Sequence, residues 1–227
     1  MNRDKKFRVI SLVAGFILIL ASSCLEKEGS SGNTISDEDG NAYASVTIGT
    51  QVWMQENLAT TKYNDGTSIP LIIDETTWNT LITPAYCWYN NEDTAYKFPY
   101  GALYNWFTVN TSILCPAGWH VSTSSDWDIL INYLGGDSVA GGKLKEDDFV
   151  HWMDPNTGAS NRSGFTAVPG GMRSNGFWNI ASFGGWWSYS ASTNDSAMCR
   201  YMLYNSSKAL EQSYVKSSGM SVRCVKD

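Results

Sequence analysis

The sequence is poor in the residues that build zinc sites. Only His120 and His151 occur among 227 residues, and none of the five cysteines belongs to a CxxC motif. Zinc sites in proteins use closely spaced Cys and His ligands. We therefore expect neither a zinc site nor any other resident cofactor, with calcium as the alternative considered below.

Basic residues are also scarce. Lys and Arg number 16 against 22 Asp and Glu, which gives a formal net charge of −6. Loss of residues 1–23 would remove four basic residues and one acid, and so move the charge to −9. Nucleic-acid binding needs clustered Lys and Arg to neutralise phosphates. Nucleic acid is thus excluded as an expected partner.

Long apolar runs are absent beyond the N-terminus. Residues 9–20 are almost entirely apolar and follow four basic residues, which is typical of an export signal over residues 1–23. The run is shorter than the roughly 20 residues of a membrane span. The following letters, LASSC, resemble a lipoprotein processing site, so we expect Cys24 to be lipidated and to anchor the protein to a membrane. A plain secretory signal with a free Cys24 is the alternative.

A polar segment separates this signal from the rest of the chain. Residues 24–36 are rich in Gly, Ser and charge and show no apolar periodicity, so they predict a flexible tether. Residues 37–227 are enough for one domain with a sizeable core.

Several local patterns predict helices and strands in this domain. Alternating residues on both sides of Gly49 indicate a hairpin. Thr123 and Asp126 indicate a capped helix that ends near Gly135, and residues 101–109 favour a second helix. Residues 137–192 are dense in Gly, Asn, Ser and Trp and predict long loops. Strands are expected again at 197–204, 212–217 and 220–227.

An acidic run in the loop region suggests a calcium alternative. Hard cations take oxygen ligands. Six residues could supply them: Glu146, Asp147, Asp148, Asp154, Asn156 and Asn161. A solvated acidic turn is the interpretation that we favour.

The tryptophans of the loop region are candidates for ligand contact. Flat rings with a polar group dominate recognition surfaces, and sugar rings present C–H faces that stack on them. The candidate residues are Trp152, Trp178, Trp186 and Trp187. The alternative is that these rings pack inside and hold the long loops in place, and for Trp186 and Trp187 this is the interpretation that we favour.

Seven ordered segments carry a family resemblance. They are GNAYASVTIGTQVWMQENL, YGALYNWFTV, LCPAGWHVSTSSDW, GGKLKE, NRSGFTAVPGGMRSNGFW, WWSYS and SVRCVKD. Together they resemble the Fibrobacter succinogenes major paralogous domain family over nearly all of residues 37–227. Members of that family are typically exported or lipidated envelope proteins, which implies an outer-membrane location with a periplasmic or surface face.

A second resemblance concerns the fold. The order of helices, Trp- and Gly-rich loops and a closing VRC strand is similar to C-type-lectin-like and formylglycine-generating-enzyme folds. It implies an α+β domain with two main helices, short twisted antiparallel strands and long Gly/Trp-rich loops. The oxidase of that second group binds copper through two nearby cysteines, whereas Cys224 has no partner a few residues upstream. We therefore expect no enzymatic activity.

The remaining cysteines are expected to form two disulfides in an exported protein. We expect Cys115 to pair with Cys224, which would tie the last strand to the helical half, and Cys87 to pair with Cys199. A nucleophilic Cys115 served by His120 is the less favoured alternative, because catalysis needs a free thiolate.

The sequence thus predicts a lipid-anchored envelope protein with a non-catalytic domain that binds a glycan or cell-wall polymer. The alternative is a structural component of an envelope assembly or filament, with another envelope protein as its partner. A hydrolase or oxidase is the least favoured class.

Overall fold

The computed structural model describes residues 34–227. The predicted signal peptide, Cys24 and most of the predicted tether lie outside these residues. Ile35 and Ser36, which the sequence analysis placed in the tether, form a strand that pairs with residues 42–43 and so belong to the domain. Within the described range no helix is long and apolar enough to cross a membrane.

The domain is α+β, with thirteen strands, five short α-helices and one 3-10 helix (Tyr89–Asn91) among the described residues. The strands are β1 (Ile35–Ser36), β2 (Ala42–Tyr43), β3 (Ser45–Ile48), β4 (Gln51–Met54), β5 (Tyr86–Cys87), β6 (Leu103–Tyr104), β7 (Trp119–Val121), β8 (Met172–Arg173), β9 (Phe177–Trp178), β10 (Phe183–Ala191), β11 (Ser196–Leu203), β12 (Ala209–Val215) and β13 (Cys224–Lys226). The α-helices are α1 (Glu75–Thr80), α2 (Asp93–Tyr96), α3 (Trp106–Val109), α4 (Ser124–Tyr133) and α5 (Asp137–Leu144).

A four-stranded antiparallel sheet joins the two ends of the domain. Its order is β3-β4-β13-β7, so the last strand, β13, lies between the β3–β4 hairpin and β7. Val225 pairs with Trp53 on one side and with His120 on the other. The β3–β4 hairpin confirms the prediction at Gly49, whose positive φ of 62° suits glycine at the first central position of the turn.

A second antiparallel sheet has the order β10-β11-β12. The strands β11, β12 and β13 confirm the predicted C-terminal strands. β10 was not predicted, because its first six residues are all buried and give no alternation of apolar and polar side chains. The remaining sheets are the pairs β1-β2, β5-β6 and β8-β9.

Helix α4 begins as the sequence predicts. The Thr123 side chain accepts from the Asp126 backbone N–H, and the Asp126 carboxylate accepts from the Thr123 N–H. The second predicted helix is confirmed only for α3, since Leu103 and Tyr104 form β6. Helix α5 was missed because Gly141 and Gly142 lower helix propensity. A Cβ on Gly142 would meet the Gly158 carbonyl oxygen at 2.3 Å, so the close packing of this helix requires glycine.

The core between the sheets and α4 is a cluster of aromatic rings. Trp53 lies 4.9 Å from Trp127 and 5.5 Å from Phe165, measured between ring centroids. Trp186 of β10 contacts Trp127 and Phe165 at 6.1 and 6.2 Å. These contacts join the two main sheets through α4.

Buried cations hold the loops that lack regular structure. Arg223 donates to the carbonyl oxygens of Met54, Phe165 and Thr166 at 2.7–3.0 Å and to Asn57 Oδ1 at 2.8 Å. Its guanidinium also lies 4.4 Å from the Phe165 ring. Because unpaired buried carbonyls are costly, this one side chain replaces several hydrogen bonds that a sheet would supply.

Lys145 has the same role in the neighbouring loop. Its Nζ donates to the carbonyl oxygens of Thr157, Leu203 and Ser206 at 3.0–3.1 Å. Burial lowers the pKa of Lys145 to about 8. Lys145 Nζ also lies 5.2 Å from the centroid of the Trp152 ring. The loop that follows α5 is therefore held to the core by the Lys145 side chain.

Candidate functional site

The segment around Cys115 and His120 is a structural staple. Cys115 is bonded to Cys224, as predicted, so its sulfur is not a free nucleophile. His120 Nδ1 lies 2.7 Å from Asp227 Oδ1, and Nε2 lies 3.2 Å from Asp126 Oδ2. Burial would raise the pKa of Asp126, but hydrogen bonds from Thr123 and His120 outweigh it and the pKa is lowered.

The expected pairing of Cys87 with Cys199 is wrong. Both thiols are free and fully buried. They lie in different core clusters: Cys87 packs with Trp78 and Leu103, whereas Cys199 belongs to the larger cluster beneath β10. Burial raises the pKa of Cys87 to about 12 and also raises the pKa of Cys199, so both remain protonated.

Three of the four tryptophans considered as ligand contacts are core residues. Trp152, Trp186 and Trp187 are at most 1% exposed. Each indole N–H has an internal acceptor: the Ala167 carbonyl for Trp152, Asn57 Oδ1 for Trp186 and the Tyr104 carbonyl for Trp187. The surface role of these three is therefore wrong: β10 is buried on both faces at Trp186 and Trp187, and Trp152 packs inside against Lys145.

Trp178 is the exposed member of the set. All ten tryptophans lie in the described residues; eight are buried, Trp119 is partly buried, and Trp178 is 53% exposed. Its Nε1 donates to the Ser174 carbonyl at 2.8 Å. A Cβ on Gly176 would lie 3.6 Å from the indole, so part of the ring rests against the turn of its own hairpin. Trp178 is thus held in place while much of its ring faces solvent.

The hairpin that carries Trp178 is itself anchored by a buried charge. Arg173 of β8 donates to the carbonyls of Ile72 and Ile73 at 2.7 and 3.0 Å and pairs with Glu75 at 3.1 Å. Its guanidinium lies between the rings of Trp78 and Phe177, at 4.4 and 5.0 Å. The β8–β9 hairpin is therefore fixed by contacts on its inner side.

A row of aromatic rings runs from this hairpin. Between ring centroids, Tyr89 lies 5.4 Å from Phe177 and 5.0 Å from Tyr96. The row continues from Tyr96 to Tyr100 at 5.9 Å and from Tyr100 to His151 at 5.6 Å. Tyr89 is buried and the others are half-buried. We call these five residues the aromatic row.

The row ends at a loop that displays apolar side chains. Phe149, Val150 and Met153 are 65%, 72% and 45% exposed, although Trp152 beside them is buried. The Met153 N–H donates to the Ala181 carbonyl at 2.9 Å, which joins this loop to the chain just after β9. We call residues 146–156 the display loop. The display loop and the Trp178 hairpin together form the candidate binding face.

Three potential metal ligands lie together in the display loop. Glu146, Asp148 and His151 each offer one ligand atom, and these atoms all lie within 4.8 Å of one another. His151 Nδ1 is 2.7 Å from Glu146 Oε2. Burial and the neighbouring Asp148 raise the pKa of Glu146, while His151 opposes the shift.

The other members of the predicted oxygen-ligand set have different roles. The Asn161 side chain is hydrogen-bonded to Thr166 through both of its polar atoms. The Asn156 side chain donates to backbone carbonyls of the display loop. Only Glu146 and Asp148 of that set are in the cluster, and sequence reasoning missed His151 because it lies in a loop without periodicity.

A small apolar pocket lies elsewhere, beside the disulfide. Its volume is about 230 Å³, and its walls include Leu114, Cys115, Val121, His120 and Tyr189. The Tyr189 hydroxyl is 2.9 Å from Ser112 Oγ at the surface. With both His120 nitrogens held by carboxylates, this pocket offers a site for one small apolar group.

These features define a class of protein: a small α+β domain with a rigid loop-built face that carries exposed aromatic and apolar groups. The chain belongs to the family described as the Fibrobacter succinogenes major domain, whose profile matches residues 46–226. Neither the curated proteins nor the solved structures gave a match to the chain.

Proposed function

We propose that the domain is a non-catalytic binding module for a glycan or cell-wall polymer, and that the candidate binding face is the surface it uses. The observation that carries this proposal is Trp178, a half-exposed indole held by Ser174 and Gly176. A ring that is already fixed loses little conformational entropy when a ligand stacks on it.

The surroundings of Trp178 support the same choice. Phe149, Val150 and Met153 extend the apolar surface, and the aromatic row supplies half-buried rings with hydroxyl groups between the two segments. Sugars bind through C–H faces stacked on rings and hydroxyls bonded to polar groups. Glu146 and Asp148 add acceptors at one end of the face.

We further propose that the fold is C-type-lectin-like. In support, small antiparallel sheets pack with short helices, and β13 pairs with both β4 and β7, so that the two ends of the described domain meet. In this arrangement the exposed parts of residues 146–182 supply the recognition surface.

We propose that lipidation of Cys24 holds the domain at the outer membrane. The basic residues before the apolar run and the LASSC sequence support this location. Two or more acyl chains give stable anchoring, whereas one chain is marginal. Metabolic labelling with a fatty acid should mark the wild-type chain and not Cys24→Ser. Equal labelling of both would contradict the proposal.

Depletion from solution by insoluble polysaccharides and peptidoglycan tests the binding function. We expect one polymer to remove wild-type protein and Trp178→Ala to remain in solution with an unchanged melting temperature. Tyr133→Ala is the matched control, because Tyr133 is an aromatic residue, 65% exposed, on α4. If no polymer depletes the wild-type protein, or if both variants lose binding equally, the proposal is wrong.

The structural alternative makes a different prediction for the same face. Exposed Phe149 and Val150 are also suited to contact with another protein. If the domain is an assembly component, wild-type protein should self-associate as its concentration rises, and Val150→Asp should prevent this without any polymer present. Sedimentation velocity at increasing concentration separates the two functions.

A further inference from the structure

We propose, against the expectation from the sequence that the chain has no zinc site, that Glu146, Asp148 and His151 form a binding site for a divalent metal ion of the zinc class. The site does not depend on the proposed glycan binding, and the experiment below contains no polymer. Three observations support the site: the positions of the three side chains, the contrast with His120, and a buried amide next to the loop.

The side chains of Glu146, Asp148 and His151 converge on one small region. One ligand atom from each of the three side chains lies within 4.8 Å of the other two. Ligands of a tetrahedral zinc ion at bond lengths of about 2.0–2.2 Å are separated by roughly 3.4 Å. The three side chains can reach that arrangement by small rotations, since Asp148 is exposed and Glu146 and His151 are half-buried.

His120 also has two carboxylate neighbours, but they are arranged differently. Asp227 lies at its Nδ1 and Asp126 at its Nε2, on opposite edges of the ring. These two carboxylates cannot meet at one ion together with the same imidazole nitrogen. At His151, by contrast, Glu146 Oε2 lies 2.7 Å from Nδ1, and one ring nitrogen, one Glu146 oxygen and one Asp148 oxygen all lie within 4.8 Å of one another. Among residues 34–227, therefore, the two carboxylates converge at His151 and diverge at His120.

The side chain of Asn156 is buried and is hydrogen-bonded to the same loop. It is 4% exposed, and its Nδ2 donates to the backbone carbonyls of Glu146 and Asp148 at 2.9 and 3.1 Å. Its Oδ1 has no hydrogen-bond partner among the described residues. Asn156 thus fixes the backbone of two proposed ligands and brings an unpartnered oxygen to the same segment.

The chemistry of the ligands indicates the class of ion. Imidazole with two carboxylates suits zinc and similar divalent ions, whereas calcium takes six to eight oxygen ligands and avoids imidazole. Three protein ligands also leave coordination positions for water or an added ligand, as in zinc sites with an open position.

The experiment is a calorimetric titration of the purified, tag-free full chain with Zn²⁺ alone. We expect one ion per chain, with Ca²⁺ unable to displace it. His151→Gln and Asp148→Asn should each weaken Zn²⁺ binding at least about tenfold, because each removes a proposed ligand. Asp148 is exposed, so its substitution should leave the fold intact. His120→Gln is the matched control and should bind as tightly as wild type.

Co²⁺ provides a second measurement that does not depend on heat. Its visible absorption in the wild-type protein should resemble that of a low-coordinate site with a nitrogen ligand, and the spectrum should be lost in His151→Gln. Thermal unfolding without metal verifies that the variants are folded. The proposal is overturned if wild-type protein binds no Zn²⁺, if His120→Gln loses binding as His151→Gln does, or if Asp148→Asn and His151→Gln both bind normally.

Discussion

Two Gly- and Trp-containing regions of this domain look alike in sequence and differ in structure. The segment SFGGWWSYS places Trp186 and Trp187 inside the core, whereas SNGFWN places Trp178 at the surface. The first lies in β10, is paired with β11, and is buried on both faces from residue 183 to residue 188. The second is a two-stranded hairpin that has a covered inner side and an open outer side.

The difference shows that composition does not decide the role of a tryptophan. In β10 the neighbouring glycines allow close packing: a Cβ on Gly184 would lie 2.6 Å from the Trp186 ring. In the hairpin, the Trp178 ring lies against Gly176 and is 53% exposed. The first region therefore contributes stability and the second contributes recognition, a division that substitutions in each region can test.

The largest effect is expected from the disulfide that closes the core region. Cys115 and Cys224 are 109 residues apart, so replacing both with Ser should lower the free energy of unfolding by about 4–5 kcal/mol in the chain-entropy model. Urea unfolding of the double variant measures this loss. A loss below about 1 kcal/mol would show that the staple contributes little.

Trp186→Ala should have the next largest effect. Removing a fully buried aromatic side chain typically costs about 3–5 kcal/mol, through lost burial and the cavity that remains. Its partners Trp127 and Phe165 would lose their contact with β10. Urea unfolding tests this, with Trp178→Ala as the matched control, which should change stability by less than about 0.5 kcal/mol. Equal losses in the two variants would contradict the division.

The sequence predicted regular elements better than it predicted the loop-built face. The Thr123–Asp126 capping box and the turn at Gly49 are local signals, and both are confirmed. Trp178 and Trp186 could not be separated, because their burial depends on strand pairing across the chain. His151 was not connected with Glu146, since the contact is made by an irregular turn.

The disulfides show the same limit. Pairing of Cys115 with Cys224 follows from a helix entry and a final strand that the sequence indicates. Cys87 and Cys199 were paired only because they remained, although the fold places them in separate clusters. The buried cations Arg173 and Arg223 were also missed, because the carbonyls that they bind lie in loops distant in sequence.

The free thiols of the core predict a smaller, pH-dependent effect. The pKa of Cys87 is raised to about 12 and that of Cys199 is also raised, whereas unfolded thiols titrate near about 8.5. The stabilisation is fully present below the unfolded pKa and is lost as the pH rises through the folded values. The free energy of unfolding should therefore fall as the pH rises above about 9.

Urea unfolding across this alkaline range tests the pH dependence. The double variant Cys87→Ala/Cys199→Ala is the matched control, because buried tyrosines such as Tyr104 also have raised pKa values and remain in both proteins. The fall should be shallower in the variant. Rapid alkylation of either thiol in native protein at neutral pH would contradict the solvent-free core.

The division is tested most directly by fluorescence quenching with acrylamide. Because Trp178 is the exposed one among ten tryptophans, it should account for most of the quenchable emission, which Trp178→Phe should remove. Adding soluble fragments of the polymer that depletes the protein should protect this emission in the wild-type chain. If saturating fragments bind while the quenchable emission stays unchanged, the ligand lies elsewhere and the assignment of recognition to the Trp178 face is wrong.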